Sequence, residues 1–215
     1  MHKVLLFVLL IVSSVNYAQK EGEYNQKTWI GYSLDLNLPK KFKLSFTAEQ
    51  RFNDGFNKVD KNFLQSVLKY KSNKFLYYGF LYRIAWELEE ERRLNRYAVF
   101  TSLNLKKDRF KFSNRNLIQA NIRAYTRENS IRYRNKSKLK FRLTKKFKPY
   151  LSYELFYRFD EINKISNHRA VIGSGYSINK NWSIKVFYLL EKELKSDHNE
   201  IEGVIGFKLI GGMKI

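Results

Sequence analysis

Residues 131–143 alternate strictly. Arg132, Arg134, Lys136, Lys138, Lys140 and Arg142 take every second position, and Tyr133, Asn135, Ser137, Leu139, Phe141 and Leu143 fall between them. Wound into an α-helix, these charges would spread around the whole circumference and leave no apolar stripe. Extended as a strand, they all fall on one face, because successive side chains point to opposite sides. One face is then a row of cations, and the other grows apolar toward its end.

The same period of two recurs along the chain. It predicts strands over 28–38, 42–52, 62–71, 75–86, 96–106, 110–123, 150–159, 168–178, 182–191 and 200–209, in addition to 131–143. In 28–38, for example, Ile30, Tyr32, Leu34 and Leu36 oppose Gly31, Ser33, Asp35 and Asn37. In 75–86, Leu76, Tyr78, Phe80, Tyr82, Ile84 and Trp86 oppose Gly79 and Arg83. Segments of about 10–13 residues exceed the usual soluble strand of about 5–6 and fit the roughly 9–11 needed to cross a bilayer. Short breaks at 39–41, 72–74, 106–108, 144–146 and 179–181 alternate with longer polar connections at 53–61, 87–95, 124–130, 160–167 and 192–199. Short turns at one end and longer loops at the other describe an antiparallel up-and-down transmembrane β-barrel, with the turns in the periplasm and the loops outside. The eleven segments sit awkwardly with the usual even count. Either 20–27 adds a short strand or one segment does not pair, so about 10–12 strands are expected.

Composition sharpens this picture. Mean hydropathy is −0.51, a low value that alternating strands produce even inside a membrane. Outward aromatics cluster at strand ends, Phe42, Tyr70, Phe110, Tyr176 and Trp182 beside the turns and Phe52, Trp86, Tyr97, Tyr133 and Tyr157 toward the loops. Two such belts match the girdles of a membrane barrel. Pro39 and Pro149 both flank short turns, where a missing N–H costs least. At the N-terminus, Lys3, the apolar run Val4–Val12 and Ala18 form a secretory signal pattern, so residues 1–18 are expected to be removed and 19–215 to form one barrel domain. The chain contains no Cys, which excludes disulfides, thiolate metal sites and a lipidated cysteine anchor.

The net charge is +21, from 41 Lys and Arg against 20 Asp and Glu. A basic chain with interleaved aromatics resembles a nucleic-acid binder, but the signal and the two aromatic belts argue against nucleic acid as a partner. The candidate site is the inward face of the strands. It carries Arg51, Arg83, Arg115, Arg132, Arg134, Lys136, Lys138, Lys140, Arg142, Arg158 and Arg169 with Asp35, Glu49, Glu154, Glu191 and Glu202. Such a lumen can attract an anionic small molecule, as a narrow pore or as a binder. The competing account is structural: small barrels fill their interiors with side chains, and paired charges can be the filling. Carboxylates are outnumbered, so the anion reading survives beside it.

Enzymatic chemistry has little to work with. His168 opens a strand, with Ser166 and Ser174 near it in sequence, which leaves an outer-membrane lipid-modifying enzyme as the alternative. No metal-ligand spacing or phosphate-binding glycine loop is visible, and no cofactor is expected. The run Glu87–Arg93 reads as a solvated loop of mixed charge. Expected partners are outer-membrane lipid and the barrel-insertion machinery. Typical barrels offer that machinery a terminal aromatic; here the last residues are Gly211–Ile215, so Phe207–Leu209 is the candidate signal.

Trp29 opening the first strand, Glu49-Gln50-Arg51, Tyr82-Arg83, Lys148-Pro149-Tyr150 with Glu154, and Gly173-Ser174-Gly175-Tyr176 together resemble an uncharacterised family of Gram-negative outer-membrane β-barrels, the DUF2490 type. The resemblance implies an outer-membrane location and carries no established activity.

Overall fold

The computed structural model describes residues 24–89, 91–124, 129–159, 164–194 and 199–214. The expected signal at 1–18 therefore lies outside the described residues, as do Glu90, 125–128, 160–163 and 195–198 within the connections. The chain forms eleven strands: β1 (Tyr24–Asn37), β2 (Phe42–Asn53), β3 (Lys58–Lys71), β4 (Leu76–Glu87), β5 (Arg92–Lys107), β6 (Phe110–Arg123), β7 (Ser130–Phe141), β8 (Phe147–Arg158), β9 (Lys164–Ser177), β10 (Trp182–Leu194) and β11 (Asn199–Lys214). Each pairs with its sequence neighbours, and β1 closes on β11 to complete a barrel. The strand count resolves the parity problem without an extra segment. In an up-and-down sheet with an odd number of strands the first and last run the same way, so the closing pair must be parallel. The β1–β11 ladder is parallel from Tyr24↔Ile201 to Asn37↔Lys214, and the other ladders are antiparallel. No helix among the described residues is long and apolar enough to cross a membrane.

Local chemistry sets the turn end of the barrel. Asn73 Oδ1 accepts from the N–H groups of Phe75 and Leu76, and Asn179 Oδ1 from those of Asn181 and Trp182. Thr144 Oγ1 does the same for Lys146 and Phe147. These are Asx- and ST-type turns that replace lost ladder bonds with side-chain acceptors. Lys40, Lys41 and Asp108 take positive φ values of 54°, 68° and 48° in the remaining tight connections. At the loop end the strands run further than the alternation predicts. β3 begins at Lys58, β5 at Arg92, β9 at Lys164, and β10 continues to Leu194, so the connections there narrow to 54–57, 88–91, 124–129, 159–163 and 195–198. The charged run Glu87–Arg93 is a loop only at its centre: Glu87 ends β4, Arg92 and Arg93 open β5, and Glu87 pairs with Arg92 across the ladder. Its alternation was hidden because both faces are polar at a rim.

Alternation splits the sheet into two surfaces. Tyr32, Phe46, Leu64, Phe80, Val99, Ile118, Leu139, Leu151, Ile172, Val186 and Phe207 are among the exposed large apolar residues of the outer face. The inner face holds three apolar clusters: Trp29, Tyr150, Val171, Leu189 and Val204 with Phe187 against them; Val67, Leu81, Ala98, Phe100 and Leu117; and Phe63, Ala85 and Leu94. Rings lie flat over glycines on neighbouring strands. Phe100 stands opposite Gly79, and Phe187 opposite Gly206 and Gly173, so that a Cβ at Gly79 or Gly206 would overlap the ring. The aromatic covers backbone that the glycine leaves bare, and it thickens the wall inward.

Candidate functional site: the charged interior

The inner face divides along the barrel axis. In the half nearer the loop end, several opposite charges meet across the ladders, although Arg83 also faces Arg96. Lys61 stands opposite Glu87, Lys136 opposite Glu154, Arg169 opposite both Glu154 and Glu191. Glu154 is the hub, with 2% of its surface exposed. Its Oε1 accepts from Arg134 Nε at 3.0 Å and a terminal nitrogen at 2.7 Å, its Oε2 from Lys136 at 3.1 Å, and Arg115 stands 3.7 Å away. Arg134 donates onward to Gln119 at 3.0 Å; Gln119 and Arg96 both donate to Asn121, and Asn121 to Ser130. Arg169 bonds Glu191 at 2.7 Å, Arg51 bonds Glu49 at 3.0 Å, and Lys27 bonds Glu202 at 2.7 Å. The guanidinium planes also stack: Arg51 lies 3.7 Å from the Trp29 ring centre, Arg83 3.7 Å from Phe63, and Arg134 4.5 Å from Phe156. Arg83 completes its bonding with Gln65 at 3.0 and 2.6 Å. Planar, delocalised cations suit this mixture of carboxylate forks and ring faces. Above the belt a cavity of about 180 Å³ is lined by Lys27, Trp29, Arg51, Lys61, Arg169 and Glu191 among others. At the rim outside the strands, hydrogen bonds from Lys58 and Asn53 hold the Glu89 carboxyl below its ordinary range.

In the half nearer the turns, like charges meet instead. Lys43 stands opposite Lys69, Lys111 opposite both Lys106 and Lys140, and Lys185 opposite Lys208. Like charges directly opposite each other destabilise a ladder. Among the described residues, the inward carboxylate of this half is Asp35, which accepts from Lys43 at 2.8 Å and Ser45 at 2.7 Å. Lys138 rests on a π-face instead, 3.4 Å from the centre of the Tyr150 ring. Lys148 donates to the Ser177 hydroxyl at 2.9 Å.

Most of the residues singled out from sequence lie on this inner face, in the two arrangements just described. Arg132 and Arg158 face each other near the loop end of the β7–β8 ladder. Arg142 departs from expectation: β7 ends at Phe141, and Arg142 is exposed in the turn, its N–H donating to the Arg109 carbonyl. The chain reverses just beyond, where the Thr144 hydroxyl accepts from the Lys146 and Phe147 N–H groups and the Thr144 N–H donates to the Phe147 carbonyl. Residues absent from the sequence-based site include Arg96, Lys61 with Glu87, and the inner Lys43, Lys69, Lys111, Lys185 and Lys208. Their strand parity was the available signal. Arg96 stands directly opposite Arg83 in the β4–β5 ladder.

The residues raised for an enzyme do not assemble. His168 Nδ1 shares a hydrogen bond of 2.7 Å with the Tyr153 hydroxyl on the outer face, while Ser166, skipped on β9 where the register shifts opposite Phe156 and Tyr157, donates to the Phe156 carbonyl. Among the described residues no group of acidic residues and histidines is placed to hold a metal ion.

A polar net interrupts the apolar outer face. On β6 and β7, Asn114, Asn116, Asn135 and Ser137 form a closed net of hydrogen bonds: Asn116 to Asn114 at 3.0 Å, Asn135 to Asn116 at 2.7 Å, Asn114 to Ser137 at 3.0 Å, and the Tyr133 hydroxyl to Asn116 at 2.5 Å. Each amide finds its partner within the net, which is the condition for keeping carboxamides on an apolar surface. Beside it an outer groove of about 490 Å³ runs between Phe42, Leu68, Tyr78, Phe80, Val99 and Ile118.

No characterised protein matches the sequence. Among solved structures, the fold is similar to that of the NanC porin, with 12% identity, a TM-score of 0.51, and coverage of 76% of this chain and 86% of that one. It is also similar to the KdgM porin solved in complex with disordered oligogalacturonate, with 15% identity, a TM-score of 0.50, and coverage of 79% and 85%. These likenesses establish the closed barrel fold. Residues 26–202 match a family described as "Protein of unknown function (DUF2490)", and the chain belongs to that family.

Proposed function

We propose that the chain, freed of residues 1–18, is an outer-membrane barrel whose basic interior admits anionic solutes as a narrow pore or holds them as a binder. The observation that carries this reading is the surplus of inward cations. Carboxylates engage Arg51, Arg134 and Arg169 of the belt, whereas the lysines toward the turns face one another with Asp35 as their inward counter-charge. A cleft lined by one sign of charge and walled by low-dielectric material focuses its field on incoming counter-ions. A barrel of similar fold holds oligogalacturonate, an acidic oligosaccharide, which is a solute of the required charge. Lipid surrounds the apolar outer face, and the insertion machinery delivers the chain to it. The turns face the periplasm and the connections 54–57 through 195–198 face outside.

Two measurements test this. Fractionation is expected to recover the protein with the outer membrane and with heat-modifiable gel mobility; recovery as a soluble periplasmic protein would overturn it. In planar bilayers the wild type is expected to pass anions in preference to cations. A cation-selective current, or one indifferent to ion sign, rejects the anionic solute.

A further inference from the structure

The lysines of the turn half do not merely line a wall. Lys138 of β7, Lys185 of β10 and Lys69 of β3 all lie on the inner face of the closed sheet in its turn half. Around the ring these strands are spaced three, four and four apart, so three ammonium groups approach the axis from three directions. Each also has another lysine across an adjoining ladder or beside it on its own strand. The guanidinium belt above is already engaged with Glu154, Glu191 and Glu49. Folding thus gathers positive charge on the turn side of that belt, where Asp35 is the inward carboxylate among the described residues. An anion of comparable charge density entering such a cluster would relieve its repulsion.

We propose that this lysine cluster is a binding site for a compact oxyanion carrying three or more charges, of the oligophosphate class, entering from the turn end. The proposal rests on the reading of the interior as anion-handling and names the site and ligand within it. The ammonium group selects this class. It is a compact point charge with three rotatable donors, suited to densely charged phosphate oxygens in any orientation, whereas the planar fork of Arg matches carboxylates. Three directions of approach favour a ligand that spreads several charges over a short length. A single carboxylate or monophosphate would leave most of the repulsion in place.

The test uses the full-length barrel in detergent micelles, with inorganic triphosphate as the probe and calorimetry at low salt as the readout. One triphosphate per barrel is expected, bound at least about tenfold more tightly than inorganic phosphate, with affinity falling steeply as salt is raised. The double substitution Lys138→Gln with Lys185→Gln is expected to weaken triphosphate binding about tenfold or more. Lys58→Gln, at the opposite rim with its side chain 66% exposed, is expected to leave it unchanged. Equal affinity for triphosphate and phosphate in the wild type overturns the proposal even where the double variant fails to fold. So does an unweakened double variant. Anion-selective current without triphosphate binding would remove this site and leave the pore; triphosphate binding without current would remove the pore and leave the site.

Discussion

The two halves of the barrel interior are built from the same alternation and reach opposite electrostatic outcomes. Toward the loops, Lys136 meets Glu154 and Arg169 meets Glu191 across adjacent strands, and aromatic rings cover the remaining guanidinium faces. Toward the turns, Lys43 meets Lys69 and Lys111 meets Lys140. The first arrangement compensates buried charge with ion pairs across the ladders. The second costs stability, and a fold tolerates such a cost where the charge has work to do. Residue type partly follows the division: arginines gather in the half that holds the carboxylates and ring faces, and the like-charge ladders toward the turns are built of lysine.

The largest expected effect comes from breaking the paired half. Glu154→Ala leaves Arg134 and Lys136 buried without their carboxylate and should cost about 3–5 kcal/mol in urea unfolding from liposomes. The matched change Asp35→Asn, in a pair whose side chains are 37% and 28% exposed, should cost no more than about 1 kcal/mol. Equal losses would abolish the distinction between the halves.

Leu139→Arg tests which face of β7 is which. Leu139 is 44% exposed on the outer face, and a cation there should cost about 2–4 kcal/mol in lipid. Its neighbour in sequence supplies the contrast. Lys138→Glu enters the field of Lys185, Lys140 and Lys111 as their counter-charge. It should leave stability unchanged or raise it, and it should reduce anion preference in single-channel recordings. A harmless Leu139→Arg, or a severely unfolding Lys138→Glu, would reverse the assignment of faces.

Smaller effects sharpen the boundary between the halves. Gly206→Ala pushes a Cβ into the Phe187 ring and should destabilise by about 1–3 kcal/mol, with loss of the fixed ring environment visible in near-UV circular dichroism. The smallest change belongs to the outer net. Asn116→Ala removes the acceptor shared by Tyr133 and Asn135 and should cost about 0.6 kcal/mol, the average for hydrogen bonds within membrane proteins. A loss several times larger would mean that this net, rather than the interior, organises the β6–β7 wall.

Much of this was legible in the chain because the information is local. Side-chain period, strand length, turn residues such as Asn73, Thr144 and Asn179, and the sign of each face are set by neighbours one to four positions apart. Barrel, strand number within one, and the inward face of β7 follow from them. Strand ends were less legible. Arg142 continues the alternation yet falls outside β7, and Glu87 and Arg92 belong to a ladder although their surroundings read as loop.

Pairing decided the rest. Nothing in the alternation states that β1 must meet β11 in parallel; that follows only when an odd ring closes. Nor does it say that Glu154 on β8 receives Arg134 and Lys136 from β7 and lies beside Arg115 of β6, while Lys111 receives Lys140. Those meetings depend on register and on the curvature that brings β3, β7 and β10 toward one axis. The amino-acid sequence determined how much charge faces inward. Only the closed sheet determined which charges are neutralised and which are left to face one another, because electrostatic energy depends on distances across strands that a linear pattern does not contain.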